Sequence, residues 1–343
     1  MIRKALLGAI AATLLTGTAF AKETYKPLEA DPATINFGII STESTQNLRK
    51  QWMPLLEDME KRMGMEIKPF FAPDYAGIIE AMRFGKVTVA WFGNKSALEA
   101  VDRSGAEVFA QQVDPDGTRG YYSHILAQAS DEDVNSLEDM FKHCGKGTKD
   151  FGIGDPNSTS GFLVPSYYVF ALNGIEPRKC FNTVRNANHE TNMMAVANKQ
   201  VDYAANNSEQ VLRTRQNHPK ALDNVKVIWT SPLIPSDPLV YRKDLSAELK
   251  DKIAAFFLSY GRLGEDVEGA KKNLALLNLG PFHKSSNAQL YPIRQLKLFK
   301  DKLKIENNPN MTEADKKAKI EAIDKQLSEL EILSSSPMGV AAN

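Results

Sequence analysis

Asp155-Pro156-Asn157-Ser158-Thr159-Ser160-Gly161 separates a short strand pattern, residues 151–154, from a strong helical pattern, residues 162–172. Three hydroxyl side chains stand where a strand ends and a helix begins. The first amides of a helix have no intrahelical partner and carry the positive end of its dipole. With three hydroxyls they form a socket for a tetrahedral oxyanion. A plainer reading stands beside it: Ser and Thr are ordinary N-cap residues, and one of them suffices. The choice depends on what the rest of the chain builds around this heptapeptide.

Strand and helix alternate on both sides of it. Strand patterns at 34–40, 66–72, 87–92 and 107–113 are separated by helical patterns at 45–62, 75–84 and 94–104. The first of these helices places Leu48, Trp52, Leu55, Leu56 and Met59 on one face. A long apolar strand follows at 121–129. The alternation then restarts: helix 136–144, strand 150–154, helix 159–173, strand 181–187, helix 190–200, strand 201–205, helix 208–217 and strand 226–230. Residues 237–242 read as a second long strand, and helices at 247–262, 267–277 and 290–303 follow.

Repeated strand–helix–strand units predict an α/β fold with mostly parallel, doubly wound sheets. Two series of units, joined by crossings near 121–129 and 237–242, predict two lobes. The expected division is 22–123 with 241–305 for a discontinuous lobe 1, 124–240 for lobe 2, and 306–343 for a C-terminal helical tail. Ligands in such sheets bind at the carboxyl ends of strands. Two facing lobes form a cleft that closes by hinging, here expected about 123–126 and 239–241.

Residues 1–21 read as a secretory signal peptide. Arg3 and Lys4 form its charged start, the apolar run 5–15 is short for a bilayer span, and Ala19-Phe20-Ala21 is a small-x-small cleavage site. An exported, periplasmic protein is expected. The chain has 42 basic and 42 acidic residues; without Arg3 and Lys4 the balance is 40 against 42, a net charge of −2. That gives no basic field for nucleic acid or anionic membrane. Cys144 and Cys180, in an oxidising compartment, read either as one disulfide or as two separate buried thiols. In the tail, Ile320, Ile323, Leu327 and Leu330 are spaced 3, 4, 3, the rhythm of a coiled-coil seam. The seam serves either a second copy of the chain, giving a homodimer, or its own domain.

The enzymatic readings are weak. The chain has no Gly-x-Ser-x-Gly elbow, Walker A loop, GxGxxG or zinc-spaced His/Cys cluster. No catalytic residue, metal or cofactor is expected.

One family fits. Asp74-Tyr75-Ala76-Gly77-Ile78-Ile79-Glu80-Ala81-Met82 in the first lobe, Gly120-Tyr121-Tyr122-Ser123 at the first crossing and Asp155-Pro156-x-Ser158-Thr159-Ser160-Gly161 in the second resemble the phosphonate-type periplasmic binding proteins of ABC importers. The resemblance spans roughly residues 33–300 and leaves the tail out. It implies the type II periplasmic binding fold, capture of a phosphonate without chemistry, and delivery to a permease and ATPase complex in the inner membrane. It also implies 2-aminoethylphosphonate as substrate, with phosphate or phosphite as the alternative.

With that resemblance, Ser158, Thr159 and Ser160 become the candidate phosphonate contacts. Tyr75 opens a helix after a strand, and the resemblance points its phenol across the cleft. Tyr121 follows a glycine at the crossing; Tyr122 is the alternative, because successive strand residues face opposite sides. His189 stands at the carboxyl end of a second-lobe strand, where an imidazole can donate to the anion. Glu209 and Asp237 form a candidate acidic corner for the ammonium of a zwitterion; the plain readings are a dipole partner for Glu209 and a turn residue for Asp237. The turn Trp91-Phe92-Gly93 is a candidate cleft wall, and Asp202 reads as structural.

Overall fold

The structure, a computed structural model, describes residues 25–335; the expected signal peptide lies outside the described residues. The strands in chain order are β1 (Thr34–Ile39), β2 (Glu66–Phe71), β3 (Val89–Trp91), β4 (Ala106–Gln111), β5 (Gly120–Tyr121), β6 (Ser123–Gln128) and β7 (Asp150–Ile153). Then come β8 (Thr183–Asn186), β9 (Tyr203–Asn207), β10 (Val225–Thr230), β11 (Ile234–Pro235), β12 (Pro238–Arg242) and β13 (His283–Lys284). They form one sheet in the order β13-β4-β12-β3-β1-β2, a second in the order β10-β6-β9-β7-β8, and a two-stranded ribbon of β5 and β11.

The sheets are mixed. β1 pairs in parallel with β2 and β3, and β7 with β8 and β9, as strand–helix–strand units require. β12 runs antiparallel between β3 and β4, and β6 runs antiparallel between β9 and β10. β12 and β6 are the strands by which the chain arrives from the other lobe, while β13 also runs antiparallel to β4 at the sheet edge. β12 and β6 each enter directly, with no crossover helix to set their direction.

The crossings differ from the expected ones in detail. The apolar run at 121–129 is two strands, β5 and β6, broken at Tyr122. Residues 123–126 lie within the second sheet and 239–241 within the first, so the expected hinge positions sit inside rigid ladders. The expected lobe boundary between residues 240 and 241 falls inside β12, all five residues of which pair in the first sheet. The link between lobes is the β5–β11 ribbon. There Gly120 is needed: a Cβ on it would stand 2.9 Å from the Ile234 carbonyl oxygen.

Each lobe has its own apolar centre. In the first, the Thr45–Met63 helix buries the expected face of Leu48, Trp52, Leu55, Leu56 and Met59 on the sheet. Trp52 lies between Phe37 and Trp91, each ring pair 5.3 Å apart. In the second, Phe151 packs against Phe170 and Phe181. Cys144 and Cys180 border this core as a disulfide, so the paired reading of the two cysteines holds. Among the described residues no helix is long and apolar enough to cross a membrane.

The tail seam is occupied within the chain. The Glu313–Ser335 helix folds back on the Tyr291–Glu306 helix, and Ile323, Leu327 and Leu330 pack with Leu298, Ile305 and Tyr291. Lys302 pairs with Asp324 across the same hairpin. Ile320 is half-buried outside this cluster. A 3-4-3 spacing suits any antiparallel helix pair, which is why sequence alone left both readings open; three of the four seam residues are seated on the chain's own helix. Leu330→Ala should destabilise the hairpin by about 2 kcal/mol, the low end for a large-to-small change because the cluster is a satellite. Hydrogen exchange should rise across 291–335 while both sheets keep their protection.

Candidate functional site

Five helices begin at the cleft, each just after the carboxyl end of a strand. Tyr75–Arg83 follows β2 and Asn94–Arg103 follows β3 in the first lobe. A helix starting at Thr159 follows β7, His189–Ala197 follows β8 and Ser208–Asn217 follows β9 in the second. Their N-termini give a positive potential made only of backbone dipoles. Four have ordinary caps: Asp74, Ser158, Asn188 and Asn207 accept from the N–H groups of Gly77, Gly161, Thr191 and Gln210 at 2.7 to 3.0 Å.

Within the heptapeptide the two readings now separate. Ser158 is the N-cap, so Thr159 and Ser160 have no capping duty. Thr159 Oγ1 accepts the Lys95 backbone N–H of the opposite lobe at 2.8 Å. Ser160 Oγ accepts the Asn207 side-chain amide at 3.2 Å. Each of the three hydroxyl oxygens thus accepts a bond from the protein and keeps its own O–H to donate. All three residues are buried. The helix they open is widened: Leu163 N–H donates to the Ser158 carbonyl, five residues back, and the π-type turns recur over Ser166–Phe170. Such turns gather at functional sites. Gly154 and Gly161 make the turn possible. A Cβ on Gly154 would lie 2.7 Å from the Gly161 backbone, and one on Gly161 would lie 3.0 Å from the His189 ring.

The aromatic candidates converge on these hydroxyls. The buried phenol of Tyr75 abuts Ser158 and that of Tyr121 abuts Ser160. Tyr121 also donates to Asp237 Oδ1 at 3.1 Å. Tyr122 is 40% exposed, so the strand alternation is resolved in favour of Tyr121. Burial, with Asp237 close to both, pushes both phenols well above their usual range, and they are neutral donors at pH 7. His189 Nε2 lies 3.3 Å from Ser158 Oγ. Burial lowers its pKa to about 4, so the ring is neutral and carries one N–H.

The acidic candidates meet on the other side. Asp237 is buried and Glu209 partly exposed. Burial and the nearby Glu209 drive Asp237 well above the carboxylate range, against the pull of Tyr121 and Trp91. Burial lifts Glu209 to about 7, with Arg213 opposing and Asp114 and Glu43 reinforcing. Gly93 stands between the two halves: a Cβ there would meet Thr159 Oγ1 at 3.3 Å and Asp237 Oδ1 at 3.8 Å. The turn Trp91-Phe92-Gly93 is thus a wall of the cleft, as expected. Asp202, as read, is structural; it accepts the Asp150 N–H at 2.8 Å and pairs with Lys149.

The eight candidate residues therefore form one connected cluster at the seam between the lobes. Sequence reading missed several neighbours. Glu43, buried after β1, pairs across the lobes with Arg213 and accepts from Gln51. Lys95 reaches Asn157 from the opposite lobe. Two signals were present: Ser41-Thr42-Glu43-Ser44 is a polar run between a strand and a helix, like the quoted heptapeptide, and Arg213 lies one turn after Glu209. His189 Nδ1 and Thr42 Oγ1 are buried without a hydrogen-bond partner, as are Thr88 Oγ1 and Tyr203 Oη away from the cleft.

Residues 37–290 match the family model described as ABC transporter, phosphonate, periplasmic substrate-binding protein. The phosphonates-binding periplasmic protein of Escherichia coli (strain K12) is 52% identical over 308 residues, 90% of this chain and 89% of that protein. The binding protein component of an ABC phosphonate transporter from Pseudomonas aeruginosa has 50% identity and a TM-score of 0.84, covering 89% of this chain and 99% of that one. A Prochlorococcus marinus protein solved in complex with methylphosphonate has 22% identity and a TM-score of 0.69, over 79% of this chain and 100% of that one, which speaks for the fold alone. The two-lobed α/β chain belongs to the phosphonate-binding periplasmic components of ABC transporters.

Proposed function

We propose that this protein captures organophosphonates in the periplasm, 2-aminoethylphosphonate best, by closing its lobes, and presents the loaded form to an ABC permease and ATPase. Ser158, Thr159, Ser160, Tyr75 and His189 hold the phosphonate oxygens. Glu209 and Asp237 hold the ammonium, and Tyr121 links the two halves. The ligand takes no part in chemistry, and no cofactor is used. The lobes turn about the β5–β11 ribbon, and the chain reaches the periplasm after removal of residues 1–21.

One observation carries this reading: neutral donors line one side of the site and carboxylates the other. That polarity suits a zwitterion. Phosphate or phosphite has no cation to pair with Glu209 and Asp237. Calorimetric titration with 2-aminoethylphosphonate, ethylphosphonate and phosphate tests the point; equal affinity for phosphate and 2-aminoethylphosphonate would sink it.

Glu209→Ala should weaken 2-aminoethylphosphonate by about 2–5 kcal/mol, the range for breaking one side of a buried charge pair. Ethylphosphonate, with no ammonium, should lose far less. A matching loss for both would make Glu209 a structural residue.

The pKa of Glu209 also fixes a pH dependence. Its value of about 7 is raised, so the free site favours the protonated, uncharged form below that pH. An ammonium favours the carboxylate. The contribution of Glu209 to 2-aminoethylphosphonate affinity therefore grows as pH rises through about 7 and fades as it falls. Ionisation of the ligand is common to wild type and Glu209→Gln, so the ratio of their affinities isolates the effect. It should widen from about pH 6 to 8; a flat ratio contradicts the assignment.

A further inference from the structure

We propose that Glu190 is a latch: it joins the closed lobes and so sets the affinity for every phosphonate, whatever its substituent. This rests on the reading of the cleft as a phosphonate site that closes on its ligand. Glu190 follows His189 in sequence, yet its carboxylate turns away to the other lobe. The Ser44 backbone N–H donates to Glu190 Oε2 at 2.7 Å, and the Asn47 side-chain amide donates to Oε1 at 2.7 Å. The Glu190 backbone N–H in turn donates to the Thr42 carbonyl at 3.3 Å.

Ser44 is the N-cap of the Thr45–Met63 helix, and that helix has no acidic residue in its own first turn. The carboxylate that faces its positive end comes from the opposite lobe. Glu190 also lies in the first turn of its own helix, His189–Ala197. Closure thus brings two helix N-termini towards each other with one carboxylate between them. Without that charge the two positive ends repel; with it, both are satisfied by the same group. These contacts join residues 143 to 146 positions apart, across the lobes, so an open cleft breaks them. Neither Glu190, Ser44 nor Asn47 is among the residues assigned to the ligand.

A latch acts on the closed form alone. Leu163 and Val164 of the second lobe also pack into the first lobe's core, so losing the latch reduces closure without abolishing it. Glu190→Ala, which removes both charge-assisted bonds, should weaken 2-aminoethylphosphonate and ethylphosphonate alike by about tenfold, and Asn47→Ala, which removes one, should weaken both alike by about threefold. The loss should appear in dissociation, measured by stopped flow, with association little changed. The melting temperature of ligand-free variants should match wild type, while its rise on adding ligand shrinks; a merely structural residue would lower the former. Unchanged dissociation in both variants, or a loss confined to one ligand, overturns the latch while wild-type binding keeps the functional reading intact. A wild-type protein that binds neither phosphonate overturns the functional reading and the latch with it.

Discussion

Glu43, Glu209 and Asp237 share one guanidinium, that of Arg213, at the seam between the lobes. Burial opposes the charge on Arg213, but Glu43 and Glu209 more than offset it. The carboxylates have no such surplus of partners. A buried carboxylate without a cation takes up a proton rather than stay charged, and that is the state towards which Asp237 and Glu209 are pushed. Such a carboxylate pair is an unfavourable charge arrangement that an ammonium would relieve. On the proposed reading the ligand supplies the missing cation at one end and meets the helix dipoles with its anion at the other. A ligand that is better accommodated in the closed form than in the open one shifts the population towards closure.

The fold makes that shift mechanically simple. β6 and β12 enter foreign sheets in the antiparallel sense, so the chain crosses between lobes only through short extended segments. The two paired segments, β5 and β11, form the narrow ribbon. Tyr121 ends β5, and Asp237 stands two residues after β11. The ribbon that would bend on closure thus carries two of the groups proposed to feel the ligand. On the proposed reading the link between binding and closure needs no long pathway, because the ligand would touch the ends of the hinge itself.

Much of this was legible in the sequence. The strand and helix alternation has strong periodicity, and the helix starts at Tyr75, Ser158, His189 and Glu209 lie where such sheets place their sites. The direction of β6 and β12 was not legible, because an apolar strand reads the same whichever way its neighbours run. That ambiguity moved the expected boundary into β12. Nor was the destination of the tail seam legible, since Ile323, Leu327 and Leu330 present the same spacing to a second copy as to the Tyr291–Glu306 helix. Glu43, Lys95 and Glu190 were missed for a shared reason. Their partners, Arg213, Thr159 and Ser44, lie on the other side of the cleft and meet them only in the assembled fold.

The proposed phosphonate socket is built from neutral donors. His189 is held uncharged, and the Lys95 ammonium turns to Asn157 and Glu99 while its backbone N–H serves Thr159. Arg213 is engaged by Glu43 on the acidic side. Hydroxyls and helix amides lose less on desolvation than a buried guanidinium does, so such a socket needs no counter-ion of its own. Their geometry is also fixed by the protein: Gly154 lies against Gly161, and each hydroxyl oxygen is already held by an N–H. A fixed array of neutral dipoles discriminates by the shape of an anion more than by its charge alone. It also leaves no opposite charge behind when the anion departs. For a carrier that must release its cargo to a permease, that second property matters as much as tight capture.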